Sequence, residues 1–337
     1  MICEDRAMTT GLGFDLGDPA LESSLAQSLM GVEELLQSAI KSDDDFIAVA
    51  ARHLVDAGGK RFRPLLTLLA AGFGDPSAPG VQEAAVVVEL THLATLYHDD
   101  VMDEAPRRRG AASANARWDN TIAILTGDFL FARASDMLAD LGPEAVRIQA
   151  RTFERLVTGQ IHETTGPLEG ENPVDHHLQV LSDKTGSLIA TSGRFGAMFG
   201  GCDEATVEVL TRFGERIGVA FQLVDDLVDV ASDGKQSGKT PGTDLREGIP
   251  TLPALIALRD DDADGQRLRD LLSRPLPDDD EHAEALKLLR AHPALDEARV
   301  VALAWADDAR DAISVLPDGS HRRALEGLCD YVVTRTG

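Results

Sequence analysis

Two aspartate clusters carry the strongest chemical signal in this 337-residue chain. Asp99, Asp100 and Asp103 close an apolar run ending Leu96-Tyr-His, and Asp225, Asp226 and Asp229 repeat the DDxxD spacing after Ala220-Phe-Gln-Leu-Val. On a helix, positions i, i+3 and i+4 share a face, so each cluster crowds three carboxylates together. At roughly 5–6 Å and an effective dielectric of about 20, each like-charged pair costs about 3 kcal/mol. A cation must offset that repulsion. Oxygen-only ligands select hard cations, and Mg²⁺ binds through a few carboxylates while substrate phosphates and water complete its octahedron. The pattern therefore predicts two clusters that face each other around Mg²⁺ and a diphosphate substrate.

Basic residues stand beside both clusters. Gly58-Gly-Lys-Arg-Phe-Arg-Pro64 precedes the first, Arg107-Arg-Arg-Gly110 follows it, and Lys235 and Lys239 follow the second. The chain carries 32 Lys+Arg against 57 Asp+Glu, a net charge of -25, which argues against nucleic acid or an anionic membrane surface as the main partner. Cations gathered next to acidic clusters in such a chain fit a phosphate clamp, with guanidinium forks giving bidentate contacts. Gly234-Lys-Gln-Ser-Gly-Lys-Thr240 imitates a phosphate-binding P-loop, but only three residues separate Gly234 from Gly238 and the segment follows a helix. A nucleoside-triphosphatase is thereby rejected.

The elements that must position these residues read as helices. Apolar residues recur at helical spacing over about 21–40, 44–57, 64–73, 81–104, 119–140, 144–164, 175–200, 203–232, 250–260, 282–291, 295–315 and 320–335. Aromatic content is 4% and no Asn-Gly or Asp-Gly hairpin joins two alternating runs, so strands are not expected. The expected fold is all-α: a single large helical bundle around a central cavity, with residues 1–20 a loose arm and 21–337 the catalytic domain. The acidic runs Asp260-Asp-Asp-Ala-Asp and Asp278-Asp-Asp-Glu read as exposed connections. Cys3, Cys202 and Cys329 form no CxxC pair, which favours a reducing cytoplasm, and neither a signal peptide nor a membrane span is recognisable.

Taken in order, GGKRFRP at 58–64, His92, DDVMDEAPRRRG at 99–110, NTIAILTGDFLFARA at 120–134, KTGSL at 184–188, FQLVDD at 221–226 and GKTPGTDLREG at 238–248 resemble the trans (E)-isoprenyl, or polyprenyl, diphosphate synthases. The resemblance runs from about Leu21 to the C-terminus, and the combination is far more specific than one DDxxD. It implies that Asp99, Asp100, Asp103, Asp225, Asp226 and Asp229 hold Mg²⁺, three ions in all, on the allylic diphosphate. Lys60, Arg63, His92 and Arg109 match the isopentenyl diphosphate site. Arg108, Lys184 and Lys239 match residues that grip the allylic diphosphate, and Thr185 and Gln222 match polar groups near the developing allylic cation. Metal and cation charge would stabilise the leaving diphosphate, the isopentenyl alkene would attack, and the released diphosphate would take the proton.

In such enzymes the helix before the first cluster walls the product tunnel, and a position five residues upstream lies about 7.5 Å along the axis from the metal site. Here Ala94 and Thr95 offer no bulky aromatic stop, and Thr91-His-Leu-Ala-Thr-Leu-Tyr-His-Asp-Asp-Val-Met-Asp-Glu104 looks like that of long-chain synthases making quinone side chains. The expected product is therefore hexaprenyl to decaprenyl diphosphate, with geranylgeranyl as the alternative and Phe129 and Phe131 as candidates for a tunnel floor. Ile249-Pro250 after Glu247-Gly248, and Asp119 before Asn120, depart from the family pattern without touching the metal motifs. A class I terpene cyclase shares the ionisation chemistry but would not need the GGKRFRP segment. The resemblance further implies a homodimer, with a small accessory subunit as an alternative and product delivery to a membrane.

Overall fold

In the computed structural model, residues 16–231, 241–259, 263–272 and 274–334 are described. The all-α expectation holds: 78% of the described residues are helical. In order they are α1 (Pro19–Ala39), α2 (Asp45–Asp56), α3 (Phe62–Ala71), α4 (Val81–Met102), α5 (Ala114–Arg117), α6 (Asn120–Leu141), α7 (Pro143–Thr165), α8 (Pro173–Leu181), α9 (Ser187–Phe199), α10 (Glu204–Ala231), α11 (Thr243–Glu247), α12 (Leu252–Ala257), α13 (Ala263–Leu272), α14 (Asp279–Ala291), α15 (Ala294–Ala312) and α16 (Ser320–Thr334). A π-turn over Ser182–Gly186 separates α8 from α9. Local chemistry sets several of these boundaries. Asp18 caps α1 by accepting from Ala20 and Leu21 N–H, and Asp44 caps α2 by accepting from Phe46 and Ile47 N–H.

The chain divides into two compact units. The first holds residues up to Glu154 together with Leu188–Gly214 and Val315–Gly327. Within it α4 is the buried axis, packed most extensively on α6 and also on α1 and α3. Val81, Ala84–Val88, Leu90, Leu93, Ala94 and Tyr97 are fully buried, which is why this helix reads as apolar all round. Tyr97 ties α4 to α2: its hydroxyl donates to Ala50 C=O at 2.6 Å and accepts from Leu54 N–H at 3.2 Å. The second unit holds Arg155–Ser187, Glu215–Ser314 and the residues from Leu328 onward. There α12 packs on α15 and α8.

Three local expectations are corrected. Among the described residues a short hairpin does form, pairing β1 (Arg107–Arg108) with β2 (Ala111–Ala112). Its two-residue turn is Arg109-Gly110, both at positive φ (51° and 80°), so arginine stands where Asn or Asp is usual. The run from Asp278 is not a connection: Asp278 caps α14, accepting from Asp280 and Glu281 N–H, and Asp279, Asp280 and Glu281 fill its first turn. Acidic residues suit the positive end of a helix dipole. The helix expected over 175–200 is broken by the π-turn, for which the sequence carries no periodicity signal. Replacing Tyr97 with Phe deletes a buried hydroxyl from the α2–α4 contact, so we expect about 1–2 kcal/mol of lost stability, read as a lower urea midpoint at unchanged slope.

Candidate active-site residues

The first aspartate cluster ends α4, where the helix dipole is already negative and extra carboxylates are unfavourable. Asp100 is fully buried, Asp99 half-buried and Asp103 exposed. The offsetting cation is Arg108, presented by the hairpin: its Nε donates to Asp100 Oδ1 at 2.6 Å and its NH2 group lies 3.5 Å from Asp103 Oδ2. Burial pulls the Arg108 guanidinium down, but the Asp100 hydrogen bond and the charges of Asp100, Asp99 and Asp103 outweigh it and raise its pKa. The second buried oxygen of Asp100, Oδ2, has no hydrogen-bond partner.

Beside this cluster, the same unit gathers the cations of the Gly58–Pro64 segment. Lys60 stands exposed on the loop leading into α3. Arg61, at φ 48°, forks onto both carboxylate oxygens of Glu33 at 2.8 and 3.1 Å, reaches Glu89 Oε1 at 3.0 Å, and donates to Val55 C=O. Those contacts clamp α1, α2 and α4 around the start of α3, and they hold a left-handed backbone that costs on the order of 1–2 kcal/mol. Sequence reasoning gave Arg61 no role. The available signal was Glu89, an acid in the middle of an apolar helix and only 2% exposed, which must have a cationic partner.

Arg109 folds back under the same loop, donating to Leu54 C=O at 3.0 Å and to Gly58 C=O. A Cβ on Gly59 would stand 3.0 Å from its guanidinium, so glycine there leaves the passage open. Arg63 and His92 share this cationic surrounding. Burial lowers the Arg63 pKa to about 10, with Glu89 opposing the shift and Arg109 adding to it, and its buried Nε has no hydrogen-bond partner. Burial, then the charges of Arg63, Arg109, Arg108 and Arg61, hold the His92 imidazole well below its usual 6.5, so it is neutral at physiological pH. Arg63, His92, Arg108, Arg109 and the three aspartates are thus brought together in one unit.

Ala94 is fully buried, and Thr95 turns its hydroxyl back to His92 C=O at 2.8 Å. Neither lines the groove of about 390 Å³ between α4, α6 and α7, which instead meets α4 at Thr91 and His98. Phe131 and Phe153 close part of it as an aromatic pair with ring centroids 4.5 Å apart. Phe129, the other floor candidate, is half-buried and does not line it.

The second unit holds the other cluster near the end of α10. Asp226 is buried and accepts from Gln222 Nε2 at 3.3 Å, while His177 Nε2 lies 3.3 Å from Asp226 Oδ2 without the alignment of a hydrogen bond. Asp229 accepts from the backbone N–H of Thr243 and Asp244 at 3.2 and 3.4 Å, which ties it to the start of α11. Asp225 is half-buried on the same helix. Lys184 donates to Glu163 at 2.5 Å, and Thr185 follows it in the π-turn. Lys235 and Lys239 lie outside the described residues.

The carboxylates fit a hard divalent cation in two respects. Their donors are all oxygen, and Asp100 and Asp226 each keep a buried carboxylate oxygen outside any hydrogen bond. Among the described residues no three His, Cys, Asp or Glu side chains close into a ready-made cage.

Residues 44–289 match the profile of the family described as polyprenyl synthetase. The chain is 50% identical over 330 residues to nonaprenyl diphosphate synthase from Mycobacterium tuberculosis (strain ATCC 25618 / H37Rv), covering 98% of each chain. Among solved structures it is similar to geranylgeranyl pyrophosphate synthase from Corynebacterium glutamicum in complex with calcium and isoprenyl diphosphate: TM-score 0.87, 45% identity, 96% of this chain and 99% of that one. It is equally similar in fold to a decaprenyl diphosphate synthase from Rhodobacter capsulatus, with TM-score 0.87, 35% identity and coverage of 94% and 99%.

A histidine that stays neutral when folded but titrates near 6.5 when unfolded makes the unfolded state bind more protons below that pH. Stability therefore falls as pH drops below 6.5, by at most about 1.4 kcal/mol per pH unit. Replacing His92 with Gln should remove that slope from urea midpoints measured between pH 7 and 5. An unchanged slope would show that other groups carry it.

Proposed function

The chain belongs to the polyprenyl synthetase family, and from that premise we infer that it is a prenyltransferase that condenses isopentenyl diphosphate head-to-tail with an allylic diphosphate. The product is a long-chain all-trans polyprenyl diphosphate, since 50% identity to a nonaprenyl synthase outweighs the 45% shared with a geranylgeranyl enzyme. A quinone side chain is the destination we assign to it.

The observation that carries the site assignment is the charge arrangement around Asp100. Arg108 holds the first cluster together through one carboxylate oxygen while the other has no hydrogen-bond partner. Asp99, Asp100 and Asp103, with Asp225, Asp226 and Asp229, are the residues we assign to Mg²⁺, three ions in all. When bound with the allylic diphosphate, Mg²⁺ supplies charge that stabilises the departing diphosphate. The protein residues then orient the reactants. Lys60, Arg63, His92 and Arg109 hold isopentenyl diphosphate; the neutral His92 donates a hydrogen bond without adding charge. Arg108, Lys184 and Lys239 hold the allylic diphosphate, and Thr185 and Gln222 turn their oxygens toward the developing cation. The isopentenyl double bond attacks the allylic carbon, and the proton lost from the adduct passes to the released diphosphate.

The groove along α4 is our candidate for part of the chain-binding wall, with Phe131 and Phe153 at its aromatic side. We further assign a homodimer, supported by Ile124 and Leu125 standing exposed on α6. Among the described residues Cys202 and Cys329 are in no disulfide, which suits the cytoplasm, and no helix is long and apolar enough to cross a membrane.

Incubation with Mg²⁺, labelled isopentenyl diphosphate and geranyl, farnesyl or geranylgeranyl diphosphate should yield a ladder ending at long linear prenols; a single cyclic hydrocarbon would overturn the assignment. Asp99→Ala or Asp225→Ala should lower the rate by about 100-fold or more while far-ultraviolet dichroism stays helical. Thr91→Phe, at a position where α4 lines the groove, should shorten the ladder, and the same terminal prenol from the variant would remove α4 from the tunnel wall.

A further inference from the structure

Lys184 sits in an unusual piece of backbone. The π-turn over Ser182–Gly186 widens the helix by a residue, and such turns recur at functional sites because they re-aim side chains. Here the turn is fastened on several sides. Arg155 donates from Nε to Asp183 Oδ1 at 2.8 Å and from NH2 to Glu215 Oε1 at 2.7 Å and Ser182 Oγ at 3.2 Å. Ser182 Oγ donates to Glu215, and Gln179 Nε2 donates to Asp183 Oδ2, each at 2.8 Å. The α7 backbone presses directly against the turn at Gly159, where a Cβ would lie 2.6 Å from Lys184 N. Any larger residue would have to displace the turn.

One helical turn beyond Gly159, Glu163 projects along the same side of α7. Its Oε2 accepts from Lys184 Nζ at 2.5 Å and from Gln160 Nε2 at 3.0 Å. The pair is about a quarter exposed on each partner, a setting in which an ion pair adds little to stability. Its effect is on orientation. A lysine ammonium is a point charge on a flexible four-carbon stem, and ordering it at the moment of binding costs rotamer entropy. An acceptor that fixes it beforehand removes that cost, and an ammonium has three donors, so two remain for phosphate oxygens.

We propose that Glu163, steadied by Gln160, is the positioning residue that holds Lys184 ready for the allylic diphosphate. This rests on the reading of Lys184 as an allylic diphosphate ligand. Steady-state kinetics of the full-length enzyme with Mg²⁺, varying farnesyl and isopentenyl diphosphate separately, test both. E163Q should raise KM for farnesyl diphosphate about tenfold, the scale seen when a ligand's supporting partner is removed, and leave KM for isopentenyl diphosphate within about twofold. In a K184M background, E163Q should add nothing further. If K184M raises the farnesyl diphosphate KM and E163Q does not, or if their effects simply add, the positioning role is overturned while the Lys184 reading stands. If K184M itself has no effect, the Lys184 reading fails and the inference fails with it. Should E163Q lose its cooperative melting transition, E163D, which keeps the charge on a shorter arm, is held to the same comparison, and wild-type KM values in it would overturn the proposal.

Discussion

Three carboxylates at the end of α4 face both their own repulsion and the negative pole of the helix that carries them. Arg108 offsets this, and the geometry of its neighbours follows from placing it there. A guanidinium can reach Asp100 only if the chain turns back sharply after α4, which the Arg107–Ala112 hairpin does through two consecutive residues at positive φ. Arginine at the first of those positions is strained, and the strain is held by the bonds from Arg109 to Leu54 and Gly58. Those bonds require a loop with no side chain in the way, hence Gly59. The loop is in turn anchored by Arg61 on Glu33 and Glu89. Each residue in this chain of contacts answers a cost created by the previous one.

The result is a dense positive region in a protein whose net charge is -25. Arg63 is pushed down to about 10 and still carries its charge at neutral pH, while His92 gives up its proton. The distinction is physical: an imidazole loses its proton at modest cost in a cationic environment, and a guanidinium does not. Such a region is stabilised by an anion, and a diphosphate is the anion that this family handles.

The second cluster meets the same repulsion by different means. Asp229 takes backbone N–H groups at the start of α11, and Asp226 lies against Gln222 and His177. These partners differ from those of the first cluster, so identical DDxxD spacing does not dictate identical surroundings. The π-turn that carries Lys184 makes the same point, since its fastening by Arg155, Asp183 and Glu215 joins residues far apart in the chain.

Composition and periodicity by themselves determined the helical class, most helix boundaries to within a few residues, and the aspartate clusters with their flanking cations. These properties are local: a 3.6-residue repeat, a capping aspartate or a DDxxD spacing is complete within one segment. The tertiary structure alone decided which cation answers which acid. Arg61 meets Glu33 and Glu89 across 28 residues in either direction, and Lys184 meets Glu163 across 21. The Arg109-Gly110 turn escaped a search for Asn-Gly and Asp-Gly because its positive φ is held by distant carbonyls and not by its own side chain. Burial had the same origin: Ala94 and Thr95 are neighbours in sequence, yet one is enclosed and the other half-open, because only the packing of α6 against α4 distinguishes the faces of a helix that is apolar all round.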